Sequence, residues 1–143
     1  MHADIFHVGL NLVVLWMFGR QAEALFGPWF VLAIFFITGA LGGAGQLLLA
    51  PDSLAIGASG AVLGVFGAVI GGLARSRDAL PIEIRKDRVW RLVSIAAIQM
   101  VLDQVFAGHI AVYVHGAGLL SGAVLGFVAP LRKLDNKVER RRY

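Results

Sequence analysis

The chain has no cysteine among its 143 residues. That absence removes thiol nucleophiles, disulfide staples and Cys-based metal sites. Charge is scarce as well: 15% of the residues are Asp, Glu, Lys or Arg, where soluble domains average roughly 25%. There is no low-complexity tract, no internal repeat, and no basic segment ahead of the first apolar run that would mark a cleavable signal peptide. What remains is apolar. Hydrophobic residues make up 58% of the chain before its 18 glycines are counted, above the roughly 45–50% that soluble domains reach with glycine included. A soluble enzyme with one compact core, a disordered tail and a disulfide-stapled secreted module are all excluded. The net charge of +4 and a pI near 10.1 raise the question of nucleic acid, and the positions of the basic residues answer it.

Five apolar stretches run along the chain, at about 5–19, 28–49, 55–74, 89–106 and 110–130. Most approach the ~20 residues needed to cross a hydrocarbon core. The first is long enough if 20–26 continues it into the interface. Helices follow from the physics of lipid, where each backbone polar group needs a partner inside its own segment. The runs are too long and continuous for the strands of a barrel.

The charges fall on one side of these spans. Arg20 lies between the first two. Arg75, Arg77, Arg85, Lys86, Arg88 and Arg91 lie between or flank the third and fourth. Arg132, Lys133, Lys137, Arg140, Arg141 and Arg142 follow the fifth, which accounts for all 13 basic residues. The opposite side carries Asp4, Asp52 and Asp103 alone. The positive-inside rule then puts the N-terminus outside and the C-terminus in the cytoplasm. The basic excess is a topology signal with an attraction to anionic lipid, and no nucleic-acid partner is expected.

Polar side chains inside a span are costly, and their default reading is functional. His2, His7 and Asn11 open the first span, Ser59 opens the third, and His115 lies five residues into the fifth. Gln46 and Gln99 are further candidates. Spans one, three and five all run from outside to inside, so His7, Asn11, Ser59 and His115 share the outer stratum of the membrane. Glycine spacing shows how they meet. Gly60, Gly64, Gly67 and Gly71 stripe the third span, and Gly118, Gly122 and Gly126 stripe the fifth. Such stripes let helices approach closely, in membrane proteins of every function. If the two stripes face each other, Ser59 and His115 come together at the outer end, as a serine nucleophile and its general base require.

With these residues in place, the chain resembles the rhomboid family of intramembrane serine proteases. Four motifs carry the resemblance. They are His2-Ala3-Asp4-Ile5-Phe6-His7-Val8-Gly9-Leu10-Asn11, the run from Phe18-Gly19 through Glu23 to Gly27, Gly57-Ala58-Ser59-Gly60, and His115-Gly116-Ala117-Gly118 leading to Gly122. Gly-x-Ser-Gly alone is a weak signal; four motifs in order on the right spans are a strong one. The resemblance implies an all-α, polytopic helical membrane bundle with five of the family's six core helices present. The domain would cover 1–131, with spans at 2–26, 28–49, 55–74, 89–108 and 110–130, followed by a basic cytoplasmic tail at 132–143. Set against the family, the first helix and the outer loop after it are missing, and the expectation is a chain truncated at its N-terminus.

The resemblance also implies roles. Ser59 is the nucleophile, and His115 takes its proton and returns it to the leaving amine, without the Asp of soluble triads. His7, Asn11 and the backbone N–H of Ser59 stabilise the oxyanion. His2 supports the outer rim or water access, Gly57 and Gly60 allow tight turning beside the serine, and Gly118 and Gly122 belong to the packing motif. Glu23 is structural, within i,i+3 reach of Arg20, with Gly27 closing the helix. The position four after the serine is often aromatic in the family and is Leu63 here. For Gln99 and Asp103 two readings stand, lining the substrate side or marking a polar helix end, and His109 is interfacial. A His-only metal site ranks low, and neither a metal nor another cofactor is expected. The expected partners are the lipid bilayer and transmembrane substrates with Gly- or Ala-rich helices that unwind. The expected location is the plasma membrane of a bacterium or archaeon. The competing expectations are a rhomboid-like protein that holds membrane clients without cutting, and an inactive fragment. A small transporter or channel would need a row of charged or polar residues down the inner half of the spans, and no such row is evident.

Overall fold

The computed structural model describes residues 5–52, 58–76, 82–106 and 110–132; side chains are described there except at 5–7, 10, 82–85, 99–106 and 110–111. The described residues form five α-helices and no strand: α1 (Ile5–Phe26), α2 (Pro28–Leu49), α3 (Ser59–Arg75), α4 (Ile82–Phe106) and α5 (Ile110–Val128). The chain is the all-α bundle that its long apolar stretches and the resemblance imply.

The turn from α1 to α2 depends on one glycine. Gly27 has φ 87° and ψ 161°, a region open essentially to glycine alone. Its N–H donates to the Glu23 carbonyl at 2.8 Å, and Pro28 starts the next helix where its missing N–H costs nothing. The expected Arg20–Glu23 pair does not form. Arg20 lies instead over the Trp16 ring, 5.6 Å from its centroid. One turn back along an exposed helix, that ring offers the guanidinium a contact as favourable as a solvated carboxylate does.

α3 is the centre of the bundle. It touches each of the other four helices, most extensively α5. Of its 17 residues, 13 are buried, so it keeps almost no face for lipid. Phe66 of α3 meets Phe18 of α1 with ring centroids 4.2 Å apart, inside a core that also holds Ile34, Val65, Val69 and Leu73. Gly64 receives Thr38 of α2, a fully buried side chain whose hydroxyl donates to the Ile34 carbonyl at 2.8 Å.

Hydropathy and helix ends do not coincide everywhere. Pro28–Leu49 is the one helix among the described residues long and apolar enough to cross a membrane by that test, with mean hydropathy 1.9, while Ser59–Arg75 and Val112–Val128 are apolar but shorter. α4 begins at Ile82, seven residues before the expected 89. Hydropathy marks the part of a helix suited to lipid, and Glu, Arg and Lys continue the same helix beyond it because they are good helix formers.

At the C-terminal end of the α3–α5 pair, Arg75 reaches from the last turn of α3 to the end of α5. Its Nη1 donates to the carbonyls of Phe127, Val128 and Ala129 at 3.2, 3.1 and 2.9 Å. These carbonyls lie where a helix leaves its acceptors unpaired and its dipole negative. Arg75→Ala is expected to lower stability by about 1 kcal/mol, read as an earlier thermal unfolding transition in detergent micelles.

Candidate active site

Ser59 is the first residue of α3, and its hydroxyl is not used as a cap: the cap position is Ala58 and no side-chain cap bond forms. The first backbone bond of the helix runs from the Val62 N–H to the Ala58 carbonyl at 2.9 Å. The N–H groups of Ser59, Gly60 and Ala61 therefore precede the helical ladder and point out of its positive end. His115 enters from the second turn of α5 and is 5% exposed. Its Nε2 lies 2.8 Å from Ser59 Oγ. The hydroxyl donates to Nε2 when Nδ1 carries the ring proton.

The glycine stripes do face each other, and they interlock. A Cβ at Gly118 would strike the Gly60 carbonyl, one at Gly122 the Gly64 carbonyl, and one at Gly126 the Ala68 carbonyl. In return, a Cβ at Gly67 would strike the Leu119 carbonyl, and one at Gly71 the Ala123 carbonyl. Each helix thus lays backbone into the notches of the other. Ser59 and His115 sit at the N-terminal end of that contact, where any sliding of one helix along the other would part them.

Asn11 reaches the same level through α1. Phe18 and Phe66 touch, and Asn11 and Ser59 each lie seven residues before their phenylalanine. Seven residues are about two helical turns, ~10.5 Å, and return to nearly the same face. α1 and α3 run in the same direction, so the register places Asn11 level with Ser59 on the side of α1 that meets α3. Asn11 Nδ2 is buried and has no hydrogen-bond partner among the described residues. A buried donor left unpaired costs stability, and functional sites are where such costs are tolerated.

The remaining expected site residues divide. Gly118 and Gly122 are buried in the α3–α5 contact, and so is Gly60, which is regular helix without a positive φ: it serves close packing and not the tight turn expected of it. Gln46 is buried in the last turn of α2, and its Nε2 donates to the Ala50 carbonyl at 3.4 Å. Leu63 packs into the core. His2, Gly57, His109 and the tail beyond Arg132 lie outside the described residues, as do the side chains of His7, Gln99 and Asp103. Sequence reasoning passed over Arg75, whose reach to the end of α5 depends on how the helices pack.

The fold and site together define a helical membrane-type bundle with a Ser–His pair at one end. The family model described as Rhomboid domain matches residues 1–132. The chain belongs to the rhomboid family, whose members are membrane proteins. It is 31% identical over 131 residues to "RHOMBOID-like protein 6, mitochondrial" of Arabidopsis thaliana, a match covering 90% of this chain and 40% of that protein. It is 29% identical over 132 residues to "RHOMBOID-like protein 1" of the same plant, covering 92% of this chain and 33% of that one. Over 76 residues, or 53% of the chain and 22% of the relative, it is 30% identical to "Inactive RHOMBOID-like protein 8", also from Arabidopsis. The chain thus spans well under half the length of these relatives. No solved structure matches it. The relatives are plant proteins and lend no support to an origin in a bacterium or archaeon.

Proposed function

We propose that the chain is an intramembrane serine protease that uses Ser59 and His115 to hydrolyse peptide bonds in or near the membrane helices of other proteins. The observation that carries this reading is the 2.8 Å approach of His115 Nε2 to Ser59 Oγ on two interlocked helices. His115 takes the Ser59 proton as Oγ attacks the scissile carbonyl, then gives it to the leaving amine. Water, activated by the same histidine, releases the acyl group from Ser59. The tetrahedral oxyanion is met by the N–H of Ser59 at the positive end of α3 and by the Asn11 amide, with His7 as a further donor. The spans carry the chain across the bilayer several times, with the Arg- and Lys-rich ends in the cytoplasm and the reaction near the outer face.

Covalent labelling by a fluorophosphonate tests the reading. The full chain in detergent micelles is expected to carry the label on Ser59, and Ser59→Ala and His115→Ala are expected to carry none. Labelling that survives either substitution would end the protease reading. A second reading, a protein that holds membrane clients without cutting them, draws on the likeness to a relative described as inactive. Complete absence of label from the wild-type chain would favour it.

Asn11 gives a separate prediction. Loss of one oxyanion donor costs about 10²–10³ in rate, roughly 2.7–4 kcal/mol. Asn11→Ala is expected to slow cleavage of a reporter membrane substrate by that factor. The same change deletes an unpaired buried donor, so thermal stability should hold or rise. A variant that loses activity only in proportion to lost folding would overturn the role.

A further inference from the structure

We propose that Val114 is a positioning residue that sets the register of Ser59 against His115, acting as a wedge between α3 and α2. The inference rests on the protease reading of the pair. Val114 directly precedes His115 on α5 and is 7% exposed. A Cβ at Gly60, the residue after Ser59, would lie 2.6 Å from Val114 Cγ1 and 3.2 Å from its carbonyl oxygen. On the other side, a Cβ at Gly42 of α2 would lie 3.0 Å from the same oxygen and 3.5 Å from Cγ1. Val114 is therefore held between two glycine backbones, one of them adjacent to the nucleophile.

The chemistry of the residue suits the task. A β-branched side chain in a helix has one strongly preferred χ1, so its Cγ1 is a stiff spacer against Gly60. Everything between that spacer and the reacting atoms is short: one peptide unit to Ser59 on α3, and one to His115 on α5. The interlocked glycines further inward fix how α3 lies along α5. Val114 fixes how far the first turn of α3, which carries Ser59, stands off α5. With the γ carbons gone, that turn is free to settle toward α5, and a misplacement near 1 Å costs about a hundredfold in rate.

The test compares the full chain with Val114→Ala, Val114→Thr and Val69→Ala in detergent micelles. Val69 is fully buried on α3, and ten residues beyond Ser59 it lies ~15 Å along the helix. It therefore reports lost packing without lost register. The rate of fluorophosphonate labelling at saturating probe is measured alongside thermal unfolding and the ¹⁵N signals of the His115 imidazole. The chain has four histidines, so that spectrum is simple.

Val114→Ala is expected to label about ten- to a hundredfold more slowly and to shift the His115 signals. Val114→Thr keeps both branches and can bond its hydroxyl to its own helix; it should label at close to the wild-type rate. Val69→Ala should lose stability yet label as the wild type does. Wild-type labelling and unchanged His115 signals in Val114→Ala would overturn the proposal, and so would equal slowing by Val69→Ala. If the wild-type chain takes no label, the protease reading fails, and the imidazole signals alone still decide the wedge. If Val114→Ala does not fold, Val114→Cys, which keeps one γ atom, carries the same comparison.

Discussion

Ser59→Ala is expected to reduce cleavage of a reporter membrane substrate by on the order of 10⁴–10⁶, His115→Ala to bring it to the same floor, and the double substitution to go no lower. The pair acts as one unit: His115 has no proton to take without Ser59, and the Ser59 hydroxyl is a weak nucleophile without His115. That non-additivity separates a reacting pair from a structural one. If the 2.8 Å contact only joined α3 to α5, either loss would remove one interhelical hydrogen bond, worth about 0.6 kcal/mol in membrane bundles. The prediction is therefore a large loss of activity with stability changed by no more than about 1 kcal/mol, measured on the same preparations by reporter cleavage and thermal unfolding. Two independent, additive losses, or activity falling only as the folded fraction falls, would contradict it.

The same contact shows what was legible in the sequence. Ser59 and His115 could be brought together on paper because their glycine stripes share a period of three to four residues, and helices so striped have few other ways to pack. The level of Asn11 was legible too, from the direction of the spans. Helix ends were less so. α4 starts at Ile82 and not near 89, because hydropathy reports where lipid is suitable and is silent on where hydrogen bonding continues. Arg75 read only as a topology charge, since nothing in a linear sequence says that the end of α5 will lie within its reach. Val114 gave no signal at all. An apolar residue in an apolar helix becomes distinctive only when both neighbouring backbones prove to be glycine at that height. Rare residue types, polar groups and glycines were readable because each has a narrow physical meaning in lipid. The common ones acquire meaning from their neighbours.

The largest structural effect should come from a single methyl group. Gly122→Ala places a Cβ against the Gly64 carbonyl of α3. The obstacle there is backbone and not the end of a flexible side chain, so the helices themselves must separate. Separation at one notch is felt along the whole contact, because Gly118, Gly126, Gly67 and Gly71 each accept a carbonyl from the opposite helix in the same register. Dispersion is lost steeply with distance, with a gap of about 0.5–1 Å forfeiting a quarter to a half of each contact, and overpacking of this kind costs roughly 1–3 kcal/mol or more. Gly122→Ala should then unfold at markedly lower temperature and lose Ser59 labelling along with it. Gly43→Ala is the matched control. Gly43 also lies within a helix, but a Cβ there meets nothing within 4 Å. Alanine is the better helix former by about 1 kcal/mol, so this variant should be as stable as the wild type or more so, with labelling unchanged. Equal behaviour of the two variants would mean that helix propensity, and not the interlocked contact of α3 with α5, governs the stability of the bundle. It would also remove the physical basis for holding Ser59 and His115 at hydrogen-bond distance.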